Sequence, residues 1–250
     1  MILVNIPYGE SLARYKTNME YAESKGLPYY DFNEESLFNE IGYNAVEDLL
    51  EHPNYKGAEK ISLFLGDKLS TEYGIESKFD ESYNISREVY NHKVENILLT
   101  QENDPYRYLD MINNDRYTIF VFAPISYSEY ISEDFMNKIN NLGFVSNLIG
   151  VPEGTHYCAI KDAGDVIEGF TSDNIKFSNS IRNGSVVYNI DINTEMMWDR
   201  FHRYSMVIGG EECGNNNPGI SFVIYDNDFK YIADKVNINT ASENLDVTHY

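Results

Sequence analysis

The chain has 250 residues, of which 42% are hydrophobic, which is enough for one large or two small domains with real cores. A formal net charge of −21 argues against nucleic-acid phosphates and anionic membrane surfaces as partners, since both repel it. No apolar run reaches bilayer length, and Met1-Ile-Leu-Val-Asn-Ile-Pro has neither a basic start nor a small-residue cleavage site, so the expectation is a cytoplasmic protein without membrane insertion.

The predicted class is α/β. Ile2–Ile6 is a short apolar strand ended by Pro7-Tyr8-Gly9. Glu10 to Lys25 places Leu12, Tyr15, Met19 and Ala22 on one helical face, with Gly26 closing it. Leu27 to Phe32 is a second strand. Strand, helix, strand with short links predicts a partial parallel βαβ unit. Asn33–Leu50 reads as loop with a short helix. Asn54 then caps a helix that carries Ala58, Ile61, Phe64, Leu65 and Leu69 inward and ends near Gly74.

Glu76–Asn84 is polar and reads as a linker, so the composition divides the chain near residue 80. Ile85 to Asn114 is mostly helical, broken at Asp104-Pro105. From Tyr117 the period changes. Tyr117–Ala123 is a buried strand, and Ser132–Leu142 is a helix with Phe135, Met136, Ile139 and Leu142 inward. Strands follow at Tyr157–Lys161, Val166–Phe170, Val186–Ile192, Tyr204–Ile208, Ile220–Tyr225 and Lys235–Ile238, with turns at Asp162–Asp165 and Asp226–Asp228. The tail Ala241–Tyr250 is polar and expected to fray. The domain reading is residues 1–78, a helical linker 79–104, and an α+β domain 105–250.

Two segments resemble known families. Ile2-Leu-Val-Asn-Ile-Pro, Leu27-Pro-Tyr-Tyr-Asp31 and His52-Pro-Asn54-Tyr-Lys-Gly57-Ala-Glu-Lys60 follow the order of the C-terminal part of an SGNH (GDSL-like) hydrolase, a flavodoxin-like fold. The subset most similar edits acyl groups on bacterial surface polysaccharides. The resemblance implies that His52 is the base for a serine nucleophile. A serine hydroxyl needs such a base, and the base needs a carboxylate to hold its tautomer. The family places that aspartate three residues earlier, where this chain has Leu49; Asp48 and Glu51 are the carboxylates at hand. The family's serine lies well upstream on the first strand of the fold. Gly9-Glu10-Ser11 offers Ser11 as a substitute, or as an ordinary helix N-terminal serine. Alternatively the nucleophile comes from a missing N-terminal segment or a partner chain.

Residues 105–240 resemble the interleukin-like inducer (ILEI) domain in permuted order. One half is Pro105-Tyr-Arg-Tyr-Leu-Asp-Met-Ile, Tyr117–Ala123, Phe135 to Gly143 and Tyr157 to Gly164. The other is Ser205-Met-Val-Ile-Gly-Gly-Glu, Asn217-Pro-Gly219 to Asp226 and Lys235 to Thr240. The resemblance implies signalling or carbohydrate recognition rather than catalysis. Trp198, Tyr204 and Asn217 are its candidate glycan-binding residues, although the preferred reading of Trp198 is a core or edge plug.

Asp226, Asp228 and Asp234 lack the glycine and terminal Glu of an EF-hand loop, and His92, His156, His202 and His249 form no HxxxH or HExxH pair, so neither metal nor cofactor is expected. Cys158 and Cys213 form no CxxC pair and read as free thiols. Three functional readings follow. The first is an accessory or carbohydrate-binding protein of surface-polysaccharide synthesis or modification, without a complete catalytic site. The second is an SGNH-type acyl esterase or acetyltransferase acting on glycans. The third is an oligomerising structural remnant.

Overall fold

The computed structural model describes the chain apart from residues 8–11, 50–51, 77, 79, 124–126, 153, 163, 172–175, 184–185, 197–201, 209 and 216; at 12–14, 171, 176–183, 186–196 and 202–205 it describes the backbone alone. The chain mixes helices and strands and forms two compact units, Met1–Val89 and Tyr90–Tyr250.

In the first unit, β1 (Leu3–Asn5), α1 (Leu12–Lys25) and β2 (Tyr29–Asp31) follow one another, and β1 pairs with β2 in parallel with Leu3 opposite Tyr29. Gly26 ends α1 at φ 60, which suits a residue without Cβ. Buried Asp31 ties the pair together. It accepts from Tyr29 Oη at 2.8 Å, Asn33 N at 2.9 Å and Asn5 Nδ2 at 3.2 Å. Burial alone would raise its pKa, but these donors outweigh that and hold it below the ordinary carboxylate value. After α2 (Glu35–Glu40), α3 (Tyr55–Thr71) turns Gly57 and Ile61 inward, with Phe64 and Leu65 at the margin. Phe32, Tyr43 and Ile61 are the buried residues of this core, and Phe64 meets Phe32 edge-on at 5.5 Å.

The division between units falls inside α4 (Ser82–Leu99), not in the polar stretch before it. α4 starts within that stretch, and its buried residues His92, Asn96 and Leu99 lie on one face. Asp104 caps α5 (Pro105–Ile112) by accepting from Tyr106 N and Arg107 N, with proline in the first turn. Ser132 caps α6 (Glu133–Asn141). The remaining elements are β3 (Tyr117–Ala123), β4 (His156–Asp162), β5 (Asp165–Thr171), β6 (Lys176–Asn183), β7 (Val186–Met196), β8 (His202–Ile208), β9 (Glu211–Glu212), β10 (Ile220–Asp226), β11 (Tyr231–Ile238) and β12 (Val247–His249).

Six of these form an antiparallel sheet in the order β12-β11-β10-β3-β4-β5, and β6-β7-β8-β9 form a second sheet. Every residue of β3 and β10 is buried, because both faces of the larger sheet are covered. Ile119, Val121, Phe222 and Ile224 pack with Leu109, Phe135 and Ile139 of α5 and α6. On the other face Phe120, Phe122, Val223 and Tyr225 pack with Met206, Ile208 and Cys213. Both cysteines are free, and burial pushes the Cys158 thiol up to about 12 and Cys213 to about 11.

Three strands depart from the sequence expectation. Lys176–Asn183 is β6 and Glu211–Glu212 is β9, neither of them among the expected strands. The tail does not fray: β12 pairs with β11, with Ile238 opposite Val247. At Gly219, φ is 108 and a Cβ would overlap Ile238 O, so only glycine fits the turn before β10.

Candidate functional site

The loop that carries His52 is built from the N-terminus of α3. Asn54 Oδ1 accepts from Lys56 N at 3.0 Å and Gly57 N at 3.1 Å, while its Nδ2 donates to Glu47 O at 2.7 Å. One side chain therefore caps the helix and grips the preceding loop. Gly57 lets that loop approach: a Cβ there would stand 2.9 Å from Asp48 O and from the Tyr43 ring. Tyr43 Oη donates to Asp48 O at 3.2 Å and Leu49 O at 2.5 Å. Leu49 adopts φ 62, a conformation that L residues rarely take. His52 is exposed on the outside of this held loop.

Asp48 is buried, and its Oδ2 accepts from Asn44 N at 2.7 Å and from Lys60 Nζ at 2.6 Å. Lys60 also donates to Gly42 O at 2.8 Å. Burial would push the Asp48 pKa up, but the Asn44 amide and the Lys60 ammonium outweigh it and hold the carboxyl below its ordinary value. Asp48 Oδ1 is buried without a hydrogen-bond partner. The structure thus ties Asp48 to Lys60 and Asn44. Glu51 and Ser11 lie outside the described residues, as does Trp198. Tyr204 sits on β8 opposite Thr194, with only its backbone described. Asn217 is exposed in the turn before β10, its amide donating to Asn215 Oδ1 at 2.8 Å.

Two polar clusters in the second unit escaped the sequence reading. In the first, His92 of α4 meets the turn after β10. Its Nε2 stands 2.7 Å from Asp226 Oδ2, and its Nδ1 is 3.7 Å from Asp228 Oδ2. Asp226 Oδ1 accepts from Asp228 N and Phe229 N, both at 2.9 Å. Asn96 Nδ2 donates to Asp226 Oδ2 at 2.6 Å, and Tyr117 Oη donates to Asn96 Oδ1 at 2.7 Å. The Phe229 ring stacks on His92 with centroids 4.5 Å apart. His92 and Asn96 are four apart on a helix whose buried face also holds Leu99, and that spacing was the available signal.

In the second cluster, His249 of β12 places Nδ1 2.9 Å from Asp234 Oδ2 and Nε2 3.0 Å from Glu102 O. Tyr108 Oη donates to the same Asp234 oxygen at 2.9 Å. Burial, followed by the Asp234 charge, raises the Tyr108 pKa well above its ordinary value. The group ties α5, β11 and β12 together.

A cleft of about 470 Å³ is lined by Tyr127, Ser128 and Glu129 on one side and by Gly150, Val151 and Thr155 among others on the other. Tyr127 is buried at its edge, its hydroxyl without a hydrogen-bond partner, and burial pushes its pKa up. The cleft thus presents hydroxyls and a carboxylate, with the buried Tyr127 behind them. Comparison with protein-family models, with curated proteins and with solved structures finds no match.

Proposed function

We propose that this chain is an accessory or carbohydrate-binding module connected with bacterial surface-polysaccharide synthesis or modification, and that it performs no acyl transfer by itself. The observation that carries this reading is the commitment of Asp48. The carboxylate nearest the triad position is buried under Lys60 and bonded to Asn44 N, which supports a structural role for it over the orienting role of a triad. The polar Tyr127 cleft supports the binding half of the reading. The test pairs two measurements on the purified chain. Turnover of p-nitrophenyl acetate is expected to equal that of His52→Ala, and a glycan array is expected to show binders that Glu129→Ala weakens. Turnover abolished by His52→Ala would overturn the non-catalytic reading, and an array without binders would overturn the glycan reading.

The second reading is an SGNH-type acyl esterase or acetyltransferase whose nucleophile comes from another segment or chain. It is favoured by the exposure of His52 on a loop held by Asn54, Tyr43 and Gly57. A base so presented is reachable by a second protein. The same ester assay, repeated with a partner chain supplying a serine, decides for it if activity appears and depends on His52.

A further inference from the structure

We propose that His92, Asp226 and Asp228 form a binding site for one divalent transition-metal ion of the Zn²⁺ or Mn²⁺ class. One ligand atom from each of the three residues lies within 4.8 Å of the others. More than a gathering of carboxylates marks the place: His92 is 8% exposed, and its Nε2 is buried without a hydrogen-bond partner. Asp226 Oδ2 is only 2.7 Å away, yet the angle at the ring nitrogen does not make a hydrogen bond. A buried ring nitrogen left unpaired costs about 1–3 kcal/mol. A ring nitrogen left unpaired this close to a carboxylate oxygen is what a shared ion would satisfy. Ligands bound at about 2.1 Å stand about 3.0 Å apart in an octahedral set and about 3.4 Å in a tetrahedral one, so the 2.7 Å here has to open by a few tenths of an ångström.

The lone pairs agree. A carboxylate offers about four acceptor positions. Asp226 uses three of them on Asp228 N, Phe229 N and Asn96 Nδ2. The one left belongs to Oδ2, the oxygen beside His92 Nε2. The surroundings are fixed before any ion arrives. Tyr117 Oη orients the Asn96 amide, Asn96 Nδ2 also donates to Tyr231 Oη at 2.9 Å, and Phe229 sets the plane of the imidazole. Such outer partners keep ligands in place and add to metal affinity.

The donor set chooses the ion. One imidazole and two carboxylates, with no thiolate, favour a first-row divalent ion over Ca²⁺ or Mg²⁺, which prefer oxygen alone. The Asp228 side chain is 66% exposed, so the site opens to solvent on that side and water completes the coordination. Two carboxylates also bring negative charge that a dication offsets. Lys93, whose Nζ lies 5.8 Å from the Phe229 ring centroid, is the cation on the same helix turn.

The test is a titration of the chelator-treated full chain with Zn²⁺, Mn²⁺ and Co²⁺ in excess Mg²⁺, which occupies the non-specific acidic surface. One equivalent is expected to bind, with the His92 ring resonances shifting and a Co²⁺ visible band appearing. Asp228→Asn, an exposed change whose fold circular dichroism can verify, should weaken that binding about tenfold or more. His92→Gln should abolish the Co²⁺ band. No uptake in excess Mg²⁺ would leave an ion pair only and overturn the site. Uptake indifferent to both substitutions would place the ion elsewhere and overturn it equally.

Discussion

At the scale of residues, Lys60 decides what Asp48 can do. The pair is separated by 2.6 Å, with Asp48 buried and the Lys60 side chain 32% exposed. Lys60→Met removes the ammonium and leaves a buried carboxylate with one amide donor. The expected loss is about 1.5–3 kcal/mol, toward the lower end because solvent partly screens Lys60. Urea denaturation followed by circular dichroism measures it. The pH dependence fixes the cause. The folded Asp48 pKa is depressed below its ordinary value of 3.8. Its contribution is therefore present above that value and lost as pH falls through the folded pKa. The gap between the native chain and Lys60→Met should close in that acid range, and a gap that persists there would mean lost packing instead. The Asn54 cap was legible in the sequence, because a cap is a local pattern. The Asp48–Lys60 pair was not, since nothing in the spacing of two polar residues says that a loop will fold one onto the other.

At the scale of elements, legibility followed hydrophobic pattern and capping chemistry. β3 and β10 are continuous apolar runs, and α5 and α6 open on Asp104 and Ser132 with apolar residues at helical spacing. Lys-Phe-Ser-Asn-Ser-Ile-Arg-Asn of β6 lacks such a run and is a strand because β7 pairs along its whole length. The tail is the clearest miss. Val247-Thr-His249 has little apolar content, and its place in the sheet is secured by side-chain chemistry. Both ring nitrogens of His249 face acceptors, Asp234 on one side and Glu102 O on the other. His249→Ala should cost about 2 kcal/mol, since it removes both bonds and leaves buried Asp234 with Tyr108 alone. Hydrogen exchange gives the sharper readout: the amides of the β12 backbone should lose protection while those of β10 keep it. Unchanged protection in β12 would mean that backbone pairing alone holds the tail.

At the scale of the whole chain, the two units differ in how much core supports them. The composition shift near residue 80 pointed to a division, yet the units part within α4, because a helix runs through Val89–Tyr90 without interruption. The strand order was beyond local pattern. β10 lies between β3 and β11, and the pairing with β3 joins segments that are remote in sequence. The physical consequence is unequal stability. The first unit has two three-residue strands and a core of Phe32, Tyr43 and Ile61. The second buries both faces of a six-stranded sheet. Since burial contributes about 25 cal/mol per Å² of apolar surface, the smaller core leaves the first unit far closer to the entropy cost of folding. Scanning calorimetry of the full chain should therefore show two transitions, with the first unit melting at the lower temperature. Lys60→Met should move only the lower one and His249→Ala only the upper. A single transition displaced by both substitutions would show that the two cores unfold as one cooperative body, and that burial in one unit supports the other.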